Sequence, residues 1–253
     1  MPSRRERIAE VTREDLSAAA RALLIEGGVE AVTVRAVAAR AGMTAPAIYR
    51  YFTNREALLT RVMTDLLADL ASHMQAVVDQ EPTAAGRWQQ ACRAFRHWAL
   101  DHRVEFGLIF GDPPRGVNVI CDVPEGPGFD RVWFGLFAAI AEECRPDPWP
   151  LPLSPAEREW VDSFNAQVGR DVDPALAMRF LYAWQELYGA VCTEAFGHLS
   201  WAIDDAGGLF EARLAQVGQY LGLVDRGRDA DPDTPEPAEP AEQPGIVRPR
   251  RPV

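Results

Sequence analysis

The sequence predicts an all-α protein in two parts: a small three-helix head near the N-terminus and a larger helical body behind it. Three observations lead there. Apolar residues recur at helical spacings of three and four along most of the 253 residues, and no segment shows the period of two of a half-buried strand. Polar caps open the periodic runs, while glycine or proline clusters close them. Charge is also unevenly placed. Residues 1–61 hold ten arginines against seven acids although the whole chain carries −11, so a basic head is joined to an acidic body.

The first helix is expected from about Arg13 to Glu26, with Leu16, Ala20, Leu23 and Leu24 on one face and Gly27-Gly28 as its stop. Residues 1–11 before it read as a basic arm. A second, short helix starts after Thr33, whose hydroxyl can cap it, and places Val34, Val37, Ala38 and Ala41 on one stripe. Gly42 ends it and Met43 completes a tight turn. The third helix opens at Thr44 as its cap, with Pro46 in the first turn, where a missing N–H costs nothing. A fourth begins at a capping box, Thr53-Asn54-Arg55-Glu56, and runs on through Leu58, Leu59, Val62, Leu66 and Leu70.

Glu81-Pro82 to Gly86 reads as a break. Further helices are expected at roughly 87–102, 103–110, 128–144, 155–169, 174–198 and 206–223, separated by the proline- and glycine-rich loops GDPPRGVNVICDVPEGPG and RPDPWPLPLSP. From Asp225 onward large apolar residues almost vanish, and a disordered tail is expected. The domain reading is therefore an arm at 1–11, a head at 12–72, a body at 73–224 and a tail at 225–253.

No apolar run reaches the roughly 18 residues of a membrane-spanning helix, and the basic start MPSRRERIAE leads into no apolar core of a secretory signal. A cytoplasmic protein without a membrane partner is expected. Cys92, Cys121, Cys144 and Cys192 form no paired motif, so neither a zinc site nor a dithiol redox site is expected, and no cofactor is implied. Cys92, His97 and His102 are the most suggestive cluster for catalysis. Spacings of five and ten set them at about 0°, 140° and 280° around one helix, so they diverge, and an enzyme on a helical bundle is only a remote alternative.

Two short helices joined by a glycine turn make a helix-turn-helix. With Ile48 taken as zero on the third helix, Phe52 falls at about 40°, Tyr49 at about 100°, Pro46 at about 160° and Arg50 at about 200°. Ile48 and Phe52 thus face a core, while Pro46, Tyr49 and Arg50 face outward beside the small Ala45. An outward arginine can bind guanine O6 and N7, and small apolar groups can meet a thymine methyl. Tyr51, on the shoulder, and Arg35, Arg55 and Thr33 around it are placed to meet phosphates. The plainer alternative is that Tyr49 and Tyr51 cover a hydrophobic seam and Arg35 is a solvated charge.

The stretch VTVRAVAARAGMTAPAIYRYFTNREALL resembles the DNA-binding module of the TetR family of bacterial repressors and fills every position of T-x-R-x-[IV]-A-x-x-A-G-[VM]-[ST]-x-x-x-[IL]-Y-x-[YH]-F-x-x-[KR]-E-x-L. The resemblance spans about residues 12–72. It implies Thr33, Arg35, Tyr51 and Arg55 as phosphate contacts and Thr44, Ala45, Pro46, Tyr49 and Arg50 as candidates to face the bases. Arg50 fills a variable position. Farther on, WQELYGAVCTEAFGHL resembles the WHG type of regulatory domain through Trp184, Gly189, Glu194, Gly197 and His198, with Tyr188 where that type has histidine.

That resemblance implies a ligand-responsive repressor, or alternatively an activator or a ligand-independent DNA-binding regulator. It implies a helical ligand-binding and dimerisation domain, and a homodimer through the helices near 174–198 and 206–223 on a roughly palindromic double-stranded operator. A non-specific architectural DNA binder is a further alternative. The body aromatics Trp88, Phe95, Trp98, Phe106, Phe110, Trp133, Phe134 and Phe137 read singly as core. Taken together, Phe95, Trp98, Phe106, Phe110, Phe134, Phe137, Trp184 and Tyr188 are candidates for a cavity that takes a small hydrophobic or aromatic effector.

Overall fold

The computed structural model describes residues 3–111, 128–144, 149–169 and 171–223. These form α1 (Arg4–Ala31), α2 (Val34–Arg40), α3 (Ala45–Ile48), α4 (Arg55–Val78), α5 (Ala84–Asp101), α6 (Arg103–Phe106), a π-helical turn (Gly107–Gly111), α7 (Phe129–Glu143), α8 (Pro155–Val168), α9 (Pro174–Ala195) and α10 (Gly207–Leu221), with no strand among the described residues. Cys121, most of the loop after Gly111 and the tail from Asp225 lie outside them.

Local chemistry explains most boundaries. Ser3 and Glu6 form a capping box at the start of α1, so most of the expected arm is helix instead. Gly27 and Gly28 kink α1 but do not end the helical run, which resumes for one turn to Ala31. Gly28 has φ +72° there, a conformation that a side chain would strain. Thr33 caps α2 by accepting from the Ala36 N–H at 3.1 Å. The end of α2 closes where the Met43 N–H reaches the Ala38 carbonyl at 2.9 Å, across Gly42 at φ +65°. At α4 the cap is Asn54, which accepts from Ala57 N–H at 2.8 Å, and not Thr53 as the box pattern suggested.

The head packs Leu16, Ala20 and Leu24 of α1 on Val37 and Ala38 of α2, on Ile48 and Phe52, and on Leu58, Leu59 and Val62 of α4. The second half of α4 carries Leu66, Leu67, Leu70, Met74 and Val78 into the body, packing against α5 and α7. One helix of 24 residues therefore belongs to both cores, and the expected head–body boundary near residue 72 falls inside it. Polar ties reinforce the junction. Ser17 donates to Asp65 at 2.6 Å, and Arg61 bridges Glu10 at 2.6 Å and Asp65 at 2.8 Å.

In the body, α9 buries one broad stripe, on which Leu176, Phe180 and Leu187 run beside Ala177, Val191 and Ala195. Arg96 of α5 holds Glu194 of α9 with two short hydrogen bonds, 2.7 and 2.5 Å, and its guanidinium lies 5.3 Å from the Phe210 ring centre on α10. The Phe210, Leu214, Val217 and Leu221 stripe of α10 is fully used within the chain, against α9 and α5.

Candidate nucleic-acid interface and effector cavity

The four-residue α3 is too short to hold its own shape, since a first helical turn costs more than it gains. Its geometry comes from what surrounds it. Ile48 is fully buried and Phe52 nearly so, anchoring both ends of the segment. Beyond Ile48 the backbone tightens, with Arg50 and Tyr51 donating three residues back, to Ala47 and Ile48. At about 120° per residue rather than 100°, Tyr51 turns farther inward than a regular helix allows, and it is half-buried against the core. Thr44 occupies the cap position, but its side chain makes no cap hydrogen bond. Its side chain is exposed to solvent.

The outer side carries the expected set. Thr44, Pro46, Tyr49 and Arg50 are exposed, Tyr49 at 57%, and Ala45 is half-exposed beside them. The Arg50 guanidinium lies 5.9 Å from the Tyr51 ring centre. Thr33 and Arg35 are exposed at the start of α2. An exposed tyrosine next to an exposed arginine on a scaffolded turn is a surface suited to groove edges and phosphates.

Arg55 departs from its expected place. Its guanidinium points inward, donating from Nε to the Val32 carbonyl at 2.6 Å and from Nη2 to the Val29 carbonyl. Those carbonyls end α1, so Arg55 braces the corner between α1 and α2 and positions the interface. Arg55→Ala is expected to cost about 1.5–3 kcal/mol in urea unfolding, the range for hydrogen bonds to a charged group, and to weaken operator and random duplex alike. Lysine cannot reproduce both bonds, so Arg55→Lys should recover little; full recovery would mean that charge alone matters.

The eight aromatic candidates in the body separate into two groups. Phe95, Phe106 and Phe110 are buried and interlock, with Phe95 5.7–6.2 Å from five rings, those of Phe106, Phe110, Phe129, Trp133 and Trp184. Trp98 stacks on His102, and Phe137 packs 4.8 Å from both Phe164 and Phe180. Phe95, Phe106 and Phe110 thus form a hub of interlocked rings, while Trp98 and Phe137 make ring contacts of their own. Tyr188 donates its hydroxyl to the Phe110 carbonyl at 2.9 Å and stacks on Trp184; burial raises its pKa well above the ordinary value. Of the eight candidates, only Phe134 and Trp184 line the cavity of about 320 Å³ beside this hub.

Except for Trp133, already counted among the body aromatics, the remaining wall was not anticipated. It comes from Phe129, Trp133, Trp160, Phe164 and Phe180, with Leu181, Asp130 and Gln167. Three helices each contribute an aromatic pair four residues apart: Phe129 and Trp133 on α7, Trp160 and Phe164 on α8, Phe180 and Trp184 on α9. That spacing puts each pair on one helix face and is the sequence signal that would have found them.

The catalytic candidates do not converge. Cys92 is buried, which pushes its thiol pKa well up and away from nucleophilic use. His102 is held by Trp98, its Nδ1 3.0 Å from that residue's carbonyl oxygen. Among the described residues no group of three or more His, Cys, Asp or Glu is arranged to hold a metal.

Comparison with known proteins agrees with this geometry. Residues 16–62 match the model of bacterial regulatory proteins of the tetR family, and residues 88–217 match the tetracyclin repressor-like C-terminal domain. The HTH-type transcriptional regulator Rv1816 of Mycobacterium tuberculosis is 28% identical over 202 residues, covering 75% of this chain and 83% of that protein. The tetracycline repressor protein class A from transposon 1721 of Escherichia coli is 35% identical over 167 residues, covering 56% of this chain and 76% of the relative. The solved structure of SCO4313 superposes with a TM-score of 0.62 at 27% identity, covering 86% of this chain and 98% of that one. The WHG subtype rests on the pattern from Trp184 to His198 alone. A helix-turn-helix head with this outward face, a helical body of this arrangement and these relatives give one answer: the chain belongs to the TetR family and is a DNA-binding transcriptional regulator.

Proposed function

We propose that the protein is a ligand-responsive repressor that binds a palindromic operator as a homodimer in the cytoplasm and releases it when a small apolar or aromatic effector fills the body cavity. The observation that carries the DNA half is the sidedness of residues 44–52: Ile48 and Phe52 inward, Pro46, Tyr49 and Arg50 outward. Thr33, Arg35, Thr44 and Tyr51 flank that face as phosphate or edge contacts, while Arg55 acts through the α1–α2 corner. Among the described residues no helix is long and apolar enough to cross a membrane. Gel-shift assays on DNA upstream of the protein's own gene test the reading. Retention of one duplex that competitor DNA fails to displace, with steep weakening as salt rises, is the expected result. Equal affinity for every duplex would overturn it.

The dimer would use the outer faces of α9 and α10, because the inner stripe of α10 is already spent. A groove there is bordered by Ala190, Thr193, Leu209, Ala212 and Gln216, and Trp201 in the connector is 85% exposed. Light scattering is expected to give twice the 28.0 kDa chain mass, and Leu209→Arg to give the monomer.

Effector binding can reach the head through a continuous set of contacts. Trp184 stacks on Tyr188, which holds the Phe110 carbonyl in the π-helical turn. That turn continues α6, whose buried Glu105 meets Arg21 of α1 at 3.3 Å, while Arg21 also holds Asp69 of α4 at 2.6 Å. A π-helical turn is a costly local form that often marks functional positions. If Arg21 and Glu105 link body to head, a double-mutant cycle of Arg21→Met and Glu105→Gln in operator affinity will show coupling of about threefold or more. Additive effects would exclude the link.

A further inference from the structure

The composition of the cavity wall is selective. Seven of its ten lining residues are aromatic, and Asp130 is the only charged residue among them. No arginine or histidine reaches the wall among the described residues. Arg131, the neighbour of Asp130, turns elsewhere: its Nη2 lies 3.8 Å from where a Cβ on Gly128 would stand, a point 3.9 Å from Ala71 of α4.

Each kind of ligand meets this wall differently. An aliphatic ligand finds a single aliphatic side chain, Leu181, and leaves the Asp130 carboxylate without a counterpart. An anion finds a carboxylate and the negative faces of aromatic rings, which repel it. A cation finds both in its favour, because ring faces attract positive charge and the attraction grows as water is excluded. Trp160 and Phe164 are stacked at 5.1 Å on one side of the space, and Trp133 and Trp184 stand edge-to-face at 5.1 Å on another, so rings approach from different helices.

Resting on the reading of this cavity as the effector site, we propose that the effector is an organic monocation: an aromatic or other apolar body carrying a quaternary or protonated amine, with the rings around the body and Asp130 facing the charge. The size agrees, since about 320 Å³ is at the lower end of small-molecule sites. The acidic surface of the body also favours a cation during approach.

The test uses the purified full-length chain and three probes of closely similar shape and different charge: benzyltrimethylammonium, its uncharged carbon isostere neopentylbenzene, and the anion 2,2-dimethyl-3-phenylpropanoate. Binding is read by calorimetry and by quenching of tryptophan fluorescence, to which Trp133, Trp160 and Trp184 in the wall respond. The ammonium probe is expected to bind at least about tenfold more tightly than the isostere, and the anion most weakly. Asp130→Asn, an exposed position whose amide keeps the shape, should remove most of that preference while leaving the isostere unchanged. Trp160→Leu should weaken the ammonium probe more than the isostere. Equal or tighter binding of the isostere or of the anion overturns the cation assignment and leaves the effector cavity standing. Binding by none of the three overturns both.

Discussion

Tyr49→Ala is expected to lower operator affinity by about 10- to 100-fold, or roughly 1.4–2.7 kcal/mol, while the thermal midpoint stays almost where it was. The two halves of that expectation have separate causes. Tyr49 is 57% exposed and borders the buried pair Ile48 and Phe52 without joining it, and surface substitutions away from the core usually fall within about 0.5 kcal/mol. Its ring and hydroxyl instead face outward between Pro46 and Arg50, where a single good contact to a base edge or phosphate is worth about 1–3 kcal/mol. Fluorescence anisotropy with operator and with random duplex separates the contributions. A loss confined to operator identifies a reader of bases, an equal loss on both identifies a phosphate contact, and unchanged affinity on both removes Tyr49 from the interface. Arg50→Ala in the same assay shows whether the arginine beside it shares that task.

Phe95→Ala is the substitution expected to damage the fold most. The side chain is 2% exposed and touches five other rings. Truncation leaves a void that interlocked rings from α6, α7, α9 and the π-helical turn cannot all collapse into. Phenylalanine-to-alanine changes in such settings cost about 3–5 kcal/mol, a large part of the 5–15 kcal/mol that holds a typical domain together. Urea unfolding followed by circular dichroism reads the loss directly. Phe95→Leu keeps most of the volume and should cost far less, about 1.5 kcal/mol or below. Equal costs for the two would show that ring–ring geometry, and not filled space, is what Phe95 supplies. Because Phe129, Trp133 and Trp184 touch Phe95 and also wall the cavity, the alanine variant should bind any cavity probe poorly even where it stays folded.

How much of this could be read from residues alone depended on the distance over which each feature is decided. The head was legible because its signals are local: Thr33 before Val34, Gly42 after Ala41, Pro46 in the first turn of α3. The wheel drawn around Ile48 placed Tyr49 and Arg50 outward correctly. It put Tyr51 on the shoulder, where the residue is half-buried, although the chain tightens after Ile48 and turns it nearer the core than a regular helix would. The inward turn of Arg55 could not be read, since its acceptors lie 23 and 26 residues earlier in the chain. The same limit governed the cavity. An excess of aromatic residues was plain, but which of them interlock and which border empty space depends on how α7, α8 and α9 meet. Phe95, Trp98, Phe106, Phe110, Phe137 and Tyr188 therefore belong to the hub or its flank, and Trp160 and Phe164 were missed. The stripe of α10 was likewise real, but its partner is α9 of the same chain.

The shared helix α4 sets a scale for what a body can do to a head. Its 24 residues span about 36 Å at roughly 1.5 Å per residue. A tilt of about 10° around the Val78 end then carries the Arg55 end sideways by about 6 Å, near half the roughly 12 Å width of a major groove. Because Arg55 grips the carbonyls that end α1, the reading turn has to travel with it. A rearrangement of about an ångström among the rings near the pivot can thus be geared up into a misfit on DNA, with no residue of the interface changing shape.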